Sequence, residues 1–169
     1  AKNQAGADID IKLTENHGSI VLPQGQSEAE FGLSLTEQTS PPRSGGLLAT
    51  LHLWQRLMLM GPRRFGDVRY LGTLPWKDNV ELDDCLEAVH GGVVTRFYFN
   101  PTSGNLVGVE MQASDDQDPC EVYFDDIRPV NGRALPHKWT VRYGDGVFTE
   151  LTVSAYDWPA GEKTAPDKE

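Results

Sequence analysis

Between Arg96 and Pro136 the chain writes the same local pattern twice. Arg96–Phe97–Tyr98–Phe99 alternates apolar and polar residues and ends in Asn100–Pro101–Thr102–Ser103–Gly104–Asn105. Alternation then resumes at Leu106–Val107–Gly108–Val109–Glu110. This reads as strand, tight turn, strand. Glu121–Val122–Tyr123–Phe124 follows, and Asp126 to Pro136 carries a second turn at Val130–Asn131–Gly132. Consecutive hairpins build an antiparallel meander, and such a sheet needs something apolar over its concave face.

Leu47 to Met60 supplies the cover. Leu47, Leu51, Trp54 and Met58 fall on one helical face, with Thr50, Leu53, Leu57 and Met60 beside it. His52, Gln55 and Arg56 form a narrow polar stripe, so the helix is expected to be enclosed. Burial of its Leu, Trp and Met side chains is worth roughly 1.5–3 kcal/mol each. Gly61–Pro62 stops it. The fold class expected is α+β: a curved antiparallel sheet, an unclosed half-barrel, wrapped around one main apolar helix.

The remaining strands are expected at Val68–Thr73, Leu82–Val89, Val93–Phe99, Leu106–Ala113, Glu121–Phe124, His137–Tyr143 and Val147–Ser154. Upstream, Asp8–Leu13 and Ser19–Leu22 alternate as half-buried strands do, and Phe31, Leu33 and Leu35 keep a period of two that predicts a third. Glu37 to Gly46 is a loop by composition. Residues 159–169 have nothing to bury and are expected to be a disordered tail or linker.

Composition closes several routes. A formal net charge of −10 over 169 residues opposes binding to nucleic acid and to anionic membrane surfaces. The chain opens Ala1–Lys2–Asn3, without Met or a signal peptide, which is expected of a processed protein or, more so, of a fragment cut from a larger one. Cys85 and Cys120 are read as free small hydrophobes, because about two strands of the meander separate theirs.

Catalytic patterns are missing from the sequence. It has no Gly-x-Ser-x-Gly elbow, no phosphate-binding Gly-rich loop and no dinucleotide fingerprint. His17, His52, His90 and His137 are far apart, with His52 on the polar stripe and His90 and His137 in solvated positions. Asp115–Asp116–Gln117–Asp118 lacks the Gly and distal Glu of an EF-hand loop and reads as a solvated turn. No cofactor or metal is expected. Phe97 and Phe99 share one strand face and Tyr98 takes the other.

The segments Phe97 to Leu106, Asp118 to Arg128 and Asn131–Gly132–Arg133–Ala134–Leu135–Pro136 resemble the LolA-like superfamily of periplasmic lipoprotein carriers and RseB-type stress sensors. Asn100 stands where that pattern usually has aspartate, and Ile127 where it usually has tyrosine. Leu47 to Leu151 further resembles a carboxy-terminal region of predicted HtrA-type, trypsin-like serine proteases of planctomycetes. The resemblance implies an apolar cavity in a half-barrel, a periplasmic or cell-envelope location, and a covalently linked protease domain in the full-length protein. It divides the chain into amino-terminal strands and loop (1–43) and a sheet-and-helix core (44–158), together one domain.

The function these readings imply is a non-catalytic binding module. Its partner is a hydrophobic ligand, or an acylated or unfolded protein segment, held in a cleft lined by Leu51, Trp54, Met58, Phe97 and Phe99. The alternative is a regulatory or protein-interaction domain of a serine protease whose triad lies outside this chain. A hydrolase in its own right is the rival class. An active-site serine probe is expected to leave the chain unlabelled, and stoichiometric labelling would overturn the binding-module reading.

Overall fold

Strands dominate the computed structural model of the chain, which describes residues 1–77 and 81–158. The reading of 159–169 as a tail lies outside the described residues. The principal sheet has eight antiparallel strands: β1 (Lys2–Asn3), β5 (Asp67–Pro75), β6 (Leu82–His90), β7 (Val93–Phe99), β8 (Leu106–Gln112), β9 (Cys120–Val130), β10 (Arg133–Tyr143) and β11 (Gly146–Thr152). Their order is β1-β11-β10-β9-β8-β7-β6-β5, so the meander is continuous and its two end strands, β1 and β5, leave it unclosed.

The turns follow local chemistry. Asn131 and Gly132 have φ of +50° and +79°, and Gly91 and Gly92 have +60° and +80°, the left-handed pairs that two-residue hairpins require.

A second sheet, β2-β3-β4, is built from β2 (Asp10–Leu13), β3 (His17–Leu22) and β4 (Gly25–Glu30). The period of two at Phe31, Leu33 and Leu35 predicted a strand that does not form. The tight Pro23–Gln24 turn sets the β3–β4 register so that β4 ends at Glu30. Beyond it Phe31 and Leu35 turn inward, while Leu33 is fully exposed. The short β1 joins the two sheets. Lys2 and Asn3 pair with Thr152 and Leu151, and Lys2 also bridges to Asp8.

Helix α1 (Leu47–Met60) touches strands of both sheets. Ser44 Oγ accepts the Leu47 N–H at 3.0 Å and donates to Pro41 O at 2.7 Å, fixing the entry into the helix. Gly46 (φ +92°) is required there, since a Cβ would lie 2.4 Å from Gln38 O. At the far end Gly61 N–H caps Leu57 O at 2.8 Å, and Arg133 of β10 donates to Met58 O at 2.6 Å. Pro62 then starts the single turn α2 (Pro62–Phe65).

Two helix positions differ from their sequence reading. His52, placed on the polar stripe, is buried and stacked on Phe31 at 4.1 Å, because the second sheet covers that side. Met60, placed beside the apolar face, is 40% exposed past the last covered turn. His137 is also buried rather than solvated, with Nδ1 3.2 Å from Leu135 O.

The other face of the eight-stranded sheet is covered too. Trp76 stacks on Tyr98 at 4.0 Å and meets Tyr123 edge-on at 4.7 Å. Its Nε1 donates to Val107 O at 3.3 Å. Cys85 is buried in this cluster and Cys120 in the main core; both are free, and burial pushes their thiol pKa values up to about 11 and about 12. Beside the cluster Arg69, Glu87, Arg96 and Glu110 stand in register across β5 to β8. Arg96 bonds Glu87 at 3.0 Å and Glu110 at 2.9 Å. Burial opposes ionisation of Glu87, but Arg69 and Arg96 outweigh it and hold its carboxyl below the usual range.

Trp76 lies flat because Gly108 has no side chain, and a Cβ there would fall 2.2 Å from Trp76 Nε1. Gly108→Ala is expected to cost about 1–3 kcal/mol in denaturant unfolding. In the Trp76→Ala background the same substitution should cost much less; an equal cost in both backgrounds would show that the ring is not what Gly108 accommodates.

Candidate functional site

Where α1 passes between the sheets, a cleft of about 450 Å³ opens between β2 and the segment that follows β11. Asp10, Ile11, Lys12 and Leu13 form one wall. Trp54 and Gln55 come from α1, and Trp139, Val153 and Ala155 to Trp158 form the opposite side.

The aromatic residues of the cleft hold one another. Trp54 lies 5.2 Å from Phe124, 5.5 Å from Trp139 and 5.3 Å from Trp158. Trp139 Nε1 donates to Pro136 O at 3.1 Å, and Tyr156 Oη donates to the same carbonyl. That oxygen is free for both because β9–β10 pairing lapses between Pro136 and Lys138, opposite Asp126 (φ +54°). Burial raises the Tyr156 phenol above its ordinary pKa, so the ring keeps its proton and its bond. Trp158 differs: its Nε1 is buried with no hydrogen-bond partner among the described residues.

The charges around the cleft sit at its rim. Asp10 and Lys12 are 3.3 Å apart and both exposed, a pairing of small energetic weight. Asp157 is exposed and in no ion pair among the described residues. Gln55 Nε2 donates to Leu13 O at 3.4 Å. The same side chain separates the cleft from a second hollow of about 290 Å³, lined by Thr14, Glu15, His52, Arg56, Leu59 and Met60.

Of the five residues the sequence assigned to a cleft, Trp54 lines this one. Leu51 and Phe97 are fully buried in the core, while Met58 and Phe99 are half-buried against it. The sheet-to-helix interior is therefore filled by their side chains, and the open space lies at the edge of the helix. Sequence reading missed Trp139, Tyr156 and Trp158. Trp139 lay inside the expected strand His137–Tyr143, and the one signal for Tyr156 and Trp158 was their place as large aromatics just past the last expected strand, in a stretch with no alternation to bury them.

Among the described residues, no three His, Cys, Asp or Glu side chains gather as a metal ion requires. No described helix is long and apolar enough to cross a membrane. Comparisons with protein-family models, curated proteins and solved structures found no match.

His52 carries the pH dependence of this region. Burial first, then the charges of His90 and Arg56, lower its pKa from 6.5 to about 4. Above pH 6.5 the imidazole is neutral in both folded and unfolded chains. Between 6.5 and 4 the unfolded chain binds the proton and the folded chain does not, so stability falls as pH falls. The loss attributable to His52 should reach on the order of 3 kcal/mol. Unfolding free energies measured at pH 7 and pH 4.5 should therefore diverge less in His52→Phe than in the parent. An identical pH slope in the two would remove His52 as the cause.

Proposed function

We propose that the chain is a non-catalytic binding module whose aromatic cleft takes up a lipid acyl chain or a hydrophobic peptide segment. One observation carries this reading: the space at the edge of α1 is floored and walled by Trp54, Trp139, Tyr156 and Trp158 while remaining open at about 450 Å³. Small-ligand sites have volumes of roughly 300–1,000 Å³ and are mostly apolar with a few polar groups at the margin. Rings locked by shared hydrogen bonds cost little further entropy on binding. Each methylene buried there contributes about 0.8 kcal/mol.

The likeness to lipoprotein carriers supports the same reading. An unclosed antiparallel sheet curved over α1 is the arrangement it implies, with the module serving a larger envelope protein. In this chain the ligand space lies beside the helix, since Leu51 and Phe97 fill the interior. A role as the regulatory domain of a trypsin-like protease is the second reading, and it rests on the sequence likeness from Leu47 to Leu151.

Native mass spectrometry of the gently purified protein, followed by solvent extraction, is expected to reveal a retained hydrophobic mass or its uptake from added palmitate, phospholipid or hydrophobic peptide. Ala155 is exposed on the cleft wall, so Ala155→Trp should fill the space, reduce uptake about tenfold or more, and leave the melting temperature nearly unchanged. A bare mass that stays bare with all three additives would overturn the proposal.

A further inference from the structure

We propose that mild acid releases the second sheet from α1, with His52 as the group that takes up the proton. The eight-stranded sheet stays folded while β2, β3 and β4 come away from the helix. Such a release goes beyond the reading of the cleft and stands whether or not the cleft binds.

His52 sits in the seam between the helix and the second sheet. Phe31, just past β4, lies against β3 at Gly18, where a Cβ would come within 2.7 Å of its ring. The same ring stacks on His52 at 4.1 Å. The imidazole is 7% exposed, and its Nδ1 is buried with no hydrogen-bond partner among the described residues. Gln55, one turn further along α1, donates to Leu13 O at 3.4 Å. Away from the helix, the second sheet is tied down on either side of its strands. Lys2 bridges to Asp8 before β2, and the Leu35 N–H bonds Gly91 O at 2.7 Å after β4. The strands between can therefore part from α1 while these ends hold.

The charges that act on the ring oppose a further positive one. From α1 comes Arg56, whose guanidinium donates to Phe65 O at 3.0 Å. From β6 comes His90, edge-on to Phe65 at 5.8 Å. Burial first, then the charges of His90 and Arg56, disfavour the imidazolium of His52. Burial and Arg56 disfavour a charged His90 as well. The β2–β3 turn offers the Thr14 main chain, which favours the charged ring, and Glu15, which is exposed on the hollow beside it. Water and salt weaken the pull of an exposed carboxylate. From β3 and β4, His17 lies 3.9 Å from Glu28 and from Glu30 in an exposed group of its own. A protonated ring keeps some attraction for the face of Phe31, but less than the cost of leaving a buried cation unpaired.

Release removes that cost. Once the layers part, His52 meets water and titrates at its ordinary value, and the hollow of about 290 Å³ beside it is where the seam is already open. Between pH 6.5 and about 4 the released form binds a proton that the closed form does not, so acid favours release. A three-stranded sheet needs a packed hydrophobic face to stay paired, so parting from α1 exposes its amides to exchange. Asp10 to Leu13 wall the cleft, and the same step opens the cleft on that side.

Hydrogen exchange of the full chain, read residue by residue by NMR as protection factors at pH 7 and pH 4.5, tests this without any ligand. At pH 4.5 the amides of β3, the middle strand, should be protected about tenfold less or lower still than those of β9 and β10. They should also have lost about tenfold or more relative to pH 7. His52→Phe and His52→Gln should each abolish most of that loss. Equal protection of β3, β9 and β10 at pH 4.5 would mean that the chain opens as one unit and would overturn the proposal. So would an unchanged β3 in the parent, or an undiminished loss in either folded variant.

Discussion

The packing of Trp54 is the interaction on which the rest depends. One indole on α1 touches Phe124 of β9, Trp139 of β10 and Trp158 beyond β11, so three successive segments far from α1 in sequence are located by a single side chain. Aromatic contacts of this kind add about 0.5–1.5 kcal/mol each beyond the area they bury. The helix is presented to that contact by backbone constraints at both ends. Gly46 lets the chain pass Gln38 O, and Arg133 reaches from β10 to a carbonyl of the last turn. The same strand thus provides both an aromatic neighbour for the middle of α1 and a cap for its end.

An unclosed sheet of eight strands has two faces to cover, and this chain covers them differently. The inner face packs on α1 with aliphatic and aromatic side chains. On the outer face Trp76 folds back over Tyr98 and Tyr123 through the space left by Gly108. Next to it the alternating row Arg69, Glu87, Arg96, Glu110 pairs charges directly across four strands. Cross-strand pairs of opposite charge add modest stability and fix register, because a slip by one residue would turn the row to the wrong face.

The cleft arises because the second sheet stops short. β1 ties the two sheets together at Ala1 to Asn3, and the segment after β11 closes toward α1. Between β2 and that segment lies a gap with aromatic walls. A pocket between packed layers would have been consumed by Leu51 and Phe97; one at the margin of the layers survives because no element of the described chain pairs with β2 on that side. The walls combine fixed rings, an indole donor without a partner among the described residues, and carboxylates at the rim.

Periodicity determined much of the fold. The alternation from Arg96 to Glu110, the glycine and asparagine turns, and the apolar run ended by Gly61–Pro62 set α1 and most of the meander with nearly their observed bounds, since these are local preferences of backbone and side chain; β9, expected to end at Phe124, runs on to Val130, and β10, expected from His137, begins at Arg133. They also fixed that Phe97 and Tyr98 face opposite ways. Alternation misled at Phe31, Leu33 and Leu35, where the chain had already left the ladder, and helical periodicity misled at His52, whose polar stripe the second sheet buries. The candidate cleft was legible only at Trp54. That Trp139, Tyr156 and Trp158 converge on it, beside Ile11 and Leu13 of β2, was decided by tertiary structure. Convergence depends on contacts between residues about a hundred positions apart, which leave no periodic trace in the chain.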